Sequence, residues 1–360
     1  MTRAVDGLLP DVGYRQWVLV VPKRIRYFLH QRPELVGELC AIFARAIELH
    51  LKRIAQAGDP SQIHFVQRFG STLNLHLHVH AVVSDGLFRG APKPFGGSTL
   101  AFHRTDSPST QEVSRVAEAV RRKVLNRFKR LKVLPAEVIA EMLAWEHSGF
   151  SVHAGTAVGA GDADALERLL RYCARPAIAM KRMSYDKERN FARYEAQSKR
   201  DGKSTALKFE PVEFLRRLAL LAPPPRRNQV RYYGALGPNS AIRGLVTEEA
   251  ARARLRRESS RSQSPLTRAV GAAARSWAAA LSRIFEIELL CPNCRGPLVP
   301  VAVILDDGEL VRLLTYLGLP VDLPKTAPAR SPPPMGQDEY AQLDSQADAS
   351  DGIDAPSPED

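Results

Sequence analysis

The chain has 360 residues, a formal net charge of +12, four cysteines and no apolar run approaching a membrane span. That length holds two compact units with linkers. The cysteines are too few for a disulfide scaffold and suit a reducing cytoplasm, and the N-terminus lacks a signal-peptide core. From Ser331 onward there are eight acidic residues and no Lys or Arg, so residues 1–330 carry 51 basic against 31 acidic side chains. Such a balance suggests a polyanion partner, although charge alone also fits a merely solvated surface.

In chain order, Tyr14 to Val21 is β-branched and aromatic and reads as a strand ended by Pro22. After Pro33, apolar residues from Leu35 to Leu49 recur at helical spacing, predicting a helix to about Ile54. Gly58-Asp59-Pro60 breaks it, and Ile63 to Phe69 is a second strand. Gly70-Ser71-Thr72 then turns into Leu73 to Val83, read Leu-Asn-Leu-His-Leu-His-Val-His-Ala-Val-Val.

Side chains on a strand alternate faces. His76, His78 and His80 therefore share one face, with Leu75, Leu77 and Val79 on the other. Buried imidazole nitrogens need partners, and histidine is the commonest metal ligand. Two readings follow: a divalent metal on a His-hydrophobic-His pair, or a half-exposed strand whose polar face is histidine. Antiparallel pairing could bring Gln67 beside this face, as a third ligand or an ordinary strand-surface residue.

Asp85-Gly86 closes the hairpin, and residues 89–110 read as a loop rich in Gly, Pro, Ser and Thr. Helices are predicted over Glu112–Lys132 and Pro135–Trp145. The first carries Arg121, Arg122 and Arg127, a face that either tracks a phosphate backbone or is solvated. Phe150–His153 is a short strand, and His147 and His153 read as ordinary histidines. Asp164–Pro176 is a short helix with Asp164 and Glu167 in a capping-box arrangement and an apolar stripe of Leu166, Leu169, Leu170 and Cys173. Tyr172 lies off the stripe's centre, beside Arg168 and Arg175. It is either a surface amphipath or a nucleophile whose phenolate form and phosphate target the guanidinium groups would steady.

Met183–Lys203 reads as a polar, mobile or hairpin segment, Thr205–Phe209 as a strand, and Pro211–Leu221 as a helix with Val212, Leu215, Leu218 and Ala219 inward. Gln229–Gly234 is another strand, and residues 245–270 a basic linker or helix. Cys291-Pro-Asn-Cys294 is half of a zinc-ribbon site with no second pair following, which counts against bound zinc in this chain alone. The expected organisation is an α+β core over 1–244, the basic segment 245–270, a C-terminal unit over 271–325, and a disordered acidic tail over 326–360.

The segments Arg15-Gln16-Trp17-Val18-Leu19, Val66 to Ser71, His78-Val79-His80 with Asp85-Gly86, Arg171-Tyr172 to Ala179, Glu213-Phe214-Leu215, Arg231-Tyr232-Tyr233-Gly234 and Cys291 to Cys294 occur in this order. Together they resemble the rolling-circle transposases of the insertion-sequence-91 group, within the HUH endonuclease superfamily. The resemblance implies a central antiparallel sheet with the tyrosine helix packed across it. It also implies His78 and His80 as ligands of Mg²⁺ or Mn²⁺, His76 as third ligand or bystander, and Tyr172 as the nucleophile on single-stranded DNA at element ends. Arg168 stands where two-tyrosine members carry a second tyrosine, so the chain looks like the single-tyrosine branch. The cysteine-rich zinc-binding segment that opens full-length members is missing before Tyr14, and a truncated product is expected.

No Gly-x-x-x-x-Gly-Lys-[Ser/Thr] occurs, so no nucleotide cofactor is expected, and no membrane partner. The rival readings are a replication initiator or relaxase with the same site, a catalytically inactive DNA-binding relic, and an RNA-binding sheet. The last would want exposed aromatics on its central strands, where this chain places histidines.

Overall fold

The computed structural model describes residues 7–55, 57–92, 98–145, 148–197, 204–261, 306–318 and 321. They fall into two units, residues 3–253 and 254–329. The architecture is α+β. His147, the cysteine pair Cys291 and Cys294, and the acidic tail lie outside the described residues.

The first unit is built on an antiparallel sheet. Strand β1 (Tyr14–Val20) is followed by helices α1 (Lys23–Gln31) and α2 (Glu34–Ala55), then by β2 (Ser61–Phe69) and β3 (Leu75–Ser84). A ribbon of β4 (Gly86–Pro92) and β5 (Ser98–Arg104) leads to α3 (Thr110–Arg130) and α4 (Ala136–Ala144). Short strands β6 (Ser151–His153) and β7 (Ala157–Val158) precede α5 (Ala163–Cys173). Then come β8 (Met183–Asp186), β9 (Phe191–Gln197), β10 (Ser204–Phe209), α6 (Pro211–Leu221), β11 (Val230–Gly234) and α7 (Arg243–Arg261). The main sheet runs β11-β2-β3-β1-β6, with β7 also on β1, and β8, β9 and β10 make a separate three-stranded sheet. In the second unit α8 (Asp307–Tyr316) is capped by the Asp306 carboxylate, which accepts from Glu309 N–H.

Central position explains the buried pattern of β1 and β3, since a strand flanked by two others and covered on both faces has little surface to give to water. Leu77, Val79, Ala81 and Val83 pack with Trp17 and Leu19 against α2 and α3. Each such aliphatic side chain fully removed from water contributes about 1.5–3 kcal/mol. The opposite face joins Tyr14, Phe65 and Val82 to Leu166, Leu169, Leu170 and Cys173 of α5. The histidines lie on this second face, so α5 covers them.

Several expectations need correction. Residues 89–110 are not a loop throughout, because β4 and β5 form a paired ribbon across that stretch. Gly86 is the pivot into it: a Cβ there would sit 2.3 Å from the His103 carbonyl oxygen, so only glycine lets β5 pass so close. The N-cap of α5 is Asp162, whose carboxylate accepts from Ala165 N–H, two residues before the expected Asp164. On α6 the buried face is Phe214, Arg217, Leu220 and Leu221, while Val212 is 78% and Leu215 64% exposed. The Arg217 guanidinium lies over the Phe209 ring at 4.8 Å, which turns the helix by that amphipathic side chain rather than by aliphatic count. Helix α1 went unforeseen. Among the described residues, no helix is long and apolar enough to cross a membrane.

Candidate active site

Strand pairing sets the site. β2 and β3 register Gln67 opposite His78 and Phe65 opposite His80, and β1 registers Val18 opposite His80. His76, His78 and His80 thus stand in a row beneath α5, with ring centroids 5.2 and 4.9 Å apart. Their first and last members are four residues apart, about 13 Å along a strand. Among the described residues no three of His, Cys, Asp and Glu form a group able to hold a metal. The arrangement therefore does not supply a three-histidine cluster that includes His76.

The side chain completing the pair is Gln67. Its Oε1 is 3.1 Å from His78 Nε2, and its amide N–H donates to the Cys173 carbonyl at 2.8 Å. One glutamine therefore touches the histidine row and ties down the end of α5, where helix carbonyls lack intrahelical partners. His78 Nδ1–H donates to the His76 carbonyl at 2.9 Å. Gln16, buried on β1, donates its amide N–H to His80 Nδ1 at 2.8 Å and reaches Cys173 Sγ at 3.5 Å. His80 Nε2 is buried and has no hydrogen-bond partner among the described residues.

Burial, reinforced by Arg175, pushes the His80 pKa down to about 3. Burial, then the neighbouring His80 and His76, hold His78 well below the ordinary histidine range. Both rings are thus neutral at physiological pH, the form that offers a lone pair to a metal. Two neutral imidazoles and a carboxamide oxygen form a nitrogen–oxygen donor set that suits a divalent first-row cation, and the orphaned His80 nitrogen fits that use.

Tyr172 comes to the same place. Its ring stands edge-on to His80 with centroids 5.6 Å apart. The Arg175 guanidinium lies 4.8 Å from the centre of the tyrosine ring and 5.9 Å from that of Phe69. Arg168 is exposed, one helical turn before Tyr172.

The basic residues of α3 do not join them, for that helix packs on the other face of the sheet. Arg121 is only 7% exposed. It donates to Glu118 at 2.6 Å and, from Nη1, to the Met142 and Leu143 carbonyls and Ser148 Oγ. Its expected contact with DNA is corrected to a structural role, because the guanidinium is spent on the α3–α4 connection. Arg122 pairs with Glu118, and Arg127 with Glu38.

Gln16 and Cys173 are the neighbours that sequence reasoning missed. The available signal was a glutamine inside an otherwise apolar, aromatic strand, which must find a hydrogen-bond partner once buried.

An antiparallel sheet with paired histidines under a tyrosine-bearing helix defines the site. Residues 62–241, half of the chain, match the family model Y2_Tnp, described as "Putative transposase". The chain belongs to this transposase family. The match runs from β2 past β11 and includes Gln67, the histidine row, Tyr172 and Arg175, while β1 with Gln16 lies before it. No curated protein and no solved structure matches the chain.

Proposed function

We propose that this transposase cuts and rejoins single-stranded DNA through a covalent bond to Tyr172, as in rolling-circle transposition of the insertion-sequence-91 group. One juxtaposition carries the reading: the phenol ring of Tyr172 lies against His80 on one side and the Arg175 guanidinium on the other. A divalent ion, Mg²⁺ or Mn²⁺, held by His78, His80 and Gln67 would polarise the scissile phosphate. Arg175, with the exposed Arg168 one turn away, supplies positive charge to hold that phosphate in line with the phenolic oxygen. Attack by this oxygen forms the tyrosine–phosphorus ester and breaks the bond to the 3′ oxygen, which leaves as a 3′-OH after taking up a proton. The 5′-phosphotyrosine conserves the phosphodiester bond energy, and attack by a 3′-OH reverses the step and rejoins the strand. Cys173, buried beneath the helix, keeps Tyr172 at its level over the sheet through the Gln67 contact.

The test is incubation with a random-sequence single-stranded oligonucleotide pool and Mn²⁺, followed by denaturing electrophoresis and peptide mapping. A denaturation-resistant adduct on the peptide containing Tyr172 is expected. An adduct on another tyrosine, or free ends without any adduct, overturns the proposal.

A further inference from the structure

Beside the tyrosine, on the far side of Arg175, a pocket of about 420 Å³ opens between β2, the chain leaving α5 and the end of α6. That volume lies within the range of small-molecule sites. Its walls combine the rings of Phe65 and Phe69 with Ile178 and Leu218. Polar groups sit among them: Gln67, Gln229 and Arg175. Neither the metal donors nor the phosphoryl chemistry requires this space.

Resting on the nuclease reading above, we propose that the pocket takes one unstacked nucleobase flanking the scissile phosphate and makes cleavage sequence-selective. Three observations converge on that occupant. The first is continuity: the same guanidinium contacts the Tyr172 ring and the Phe69 ring, so the pocket begins one side chain from the nucleophile. The second is chemistry. Aromatic and aliphatic walls suit the face of a base, and the carboxamides of Gln67 and Gln229 suit its hydrogen-bonding edge. The third is charge, since Arg175 Nε is buried with no hydrogen-bond partner among the described residues, at the point where the backbone phosphate joining base to scissile group would pass. An apolar peptide or lipid tail would leave these polar groups unanswered.

The experiment has a binding arm and a cutting arm. A random single-stranded library is passed over full-length Tyr172→Phe protein, and the retained strands are sequenced and then offered to the wild type. One position flanking the cut is expected to be enriched for a single base. An abasic site there should weaken binding roughly tenfold or more. Ala177→Trp, at the pocket wall, should erase that abasic penalty while adduct formation persists. Gln229→Ala, a milder change that leaves the volume open, should alter which base is preferred. Adduct formation with no base preference at any flanking position overturns the pocket and leaves the nuclease reading standing. Base-dependent binding without an adduct supports the pocket and removes the nuclease reading. Strands that neither bind nor react overturn both.

Discussion

Gln67 and His78 face each other across the β2–β3 ladder, carboxamide oxygen to ring nitrogen at 3.1 Å, with the far end of each already committed. The histidine gives its Nδ1 proton to the His76 carbonyl, and the glutamine gives its amide N–H to the Cys173 carbonyl. With the imidazole neutral, both facing atoms present lone pairs, an arrangement that a cation between them relieves. Gln67→Leu is therefore expected to weaken Mn²⁺ binding by about 10–100-fold, as loss of an oriented donor does. His78→Ala and His80→Ala should abolish binding and cleavage, whereas His76→Ala should be milder. Titration calorimetry checks the affinities, and unchanged affinity in Gln67→Leu removes it from the donor set.

Gln16 governs His80 in the same way. A metal at His80 Nε2 requires the ring proton on Nδ1, so the Gln16 carboxamide must turn to present its oxygen there. Gln16→Glu, always an acceptor, should bind Mn²⁺ at least as tightly as the wild type. Gln16→Leu should bind roughly 10–100-fold more weakly. Equal affinities in both variants would show that the β1 contact does not orient the ring.

For the nucleophile, Tyr172→Phe keeps the aromatic packing against His80 and Arg175 and deletes only the attacking oxygen. Adduct formation should vanish while the affinity for single strands, set mainly by phosphate contacts, stays within about twofold. With arginine at 168, no second tyrosine one turn away rescues the reaction. A surviving adduct refutes the assignment.

Arg121 tests the opposite claim, that the basic face of α3 is partly structural. Arg121→Ala strips donors from two buried carbonyls and Ser148 and should cost about 3–5 kcal/mol in urea unfolding, as breaking a buried charged network does. Single-strand affinity per folded molecule should be unchanged. A stable variant that loses DNA affinity would restore Arg121 to the nucleic-acid surface.

The fold should also be acid-sensitive through His64, which is fully buried between Phe43 and Tyr233 and has its pKa pushed down to about 3 by burial and then Arg231. Between about pH 6.5 and 3 the unfolded chain binds a proton there that the folded chain refuses, so stability is full above that window and falls as pH drops through it. The contribution is at most about 1.4 kcal/mol per pH unit. His64→Phe should flatten the loss of urea stability between pH 6.5 and 5 by up to that slope. An unchanged slope would mean that this ring is protonated in the native state.

Much of this geometry was legible because period-two alternation is rigid. Once residues 75–83 are a strand, the histidines must share a face and Leu77 and Val79 the other, and a turn at Gly70–Thr72 makes Gln67 their neighbour. The tyrosine helix was legible for the same reason, since Leu166, Leu169, Leu170 and Cys173 admit one buried stripe. What failed were features set by partners distant in sequence. Nothing local says that Arg121 meets carbonyls of another helix, or that α6 turns Phe214 inward and leaves Val212 outside. The ribbon after Asp85 was hidden because glycine and proline also mark strands that make close approaches, as Gly86 does.

The strand order also sets a timetable. His78 and His80 leave the ribosome about 90 residues ahead of Tyr172, roughly 5–18 s at ordinary elongation rates. β11, which covers the outer edge of β2, comes later still. A nascent chain thus holds its histidine hairpin for seconds before it has a nucleophile, and cannot cut the nucleic acid around it. Throughout that interval the outer edge of β2 is open to another strand. Chains stopped between Tyr172 and Val230 should carry the cutting residues on an unclosed sheet, and aggregation would be their characteristic fate.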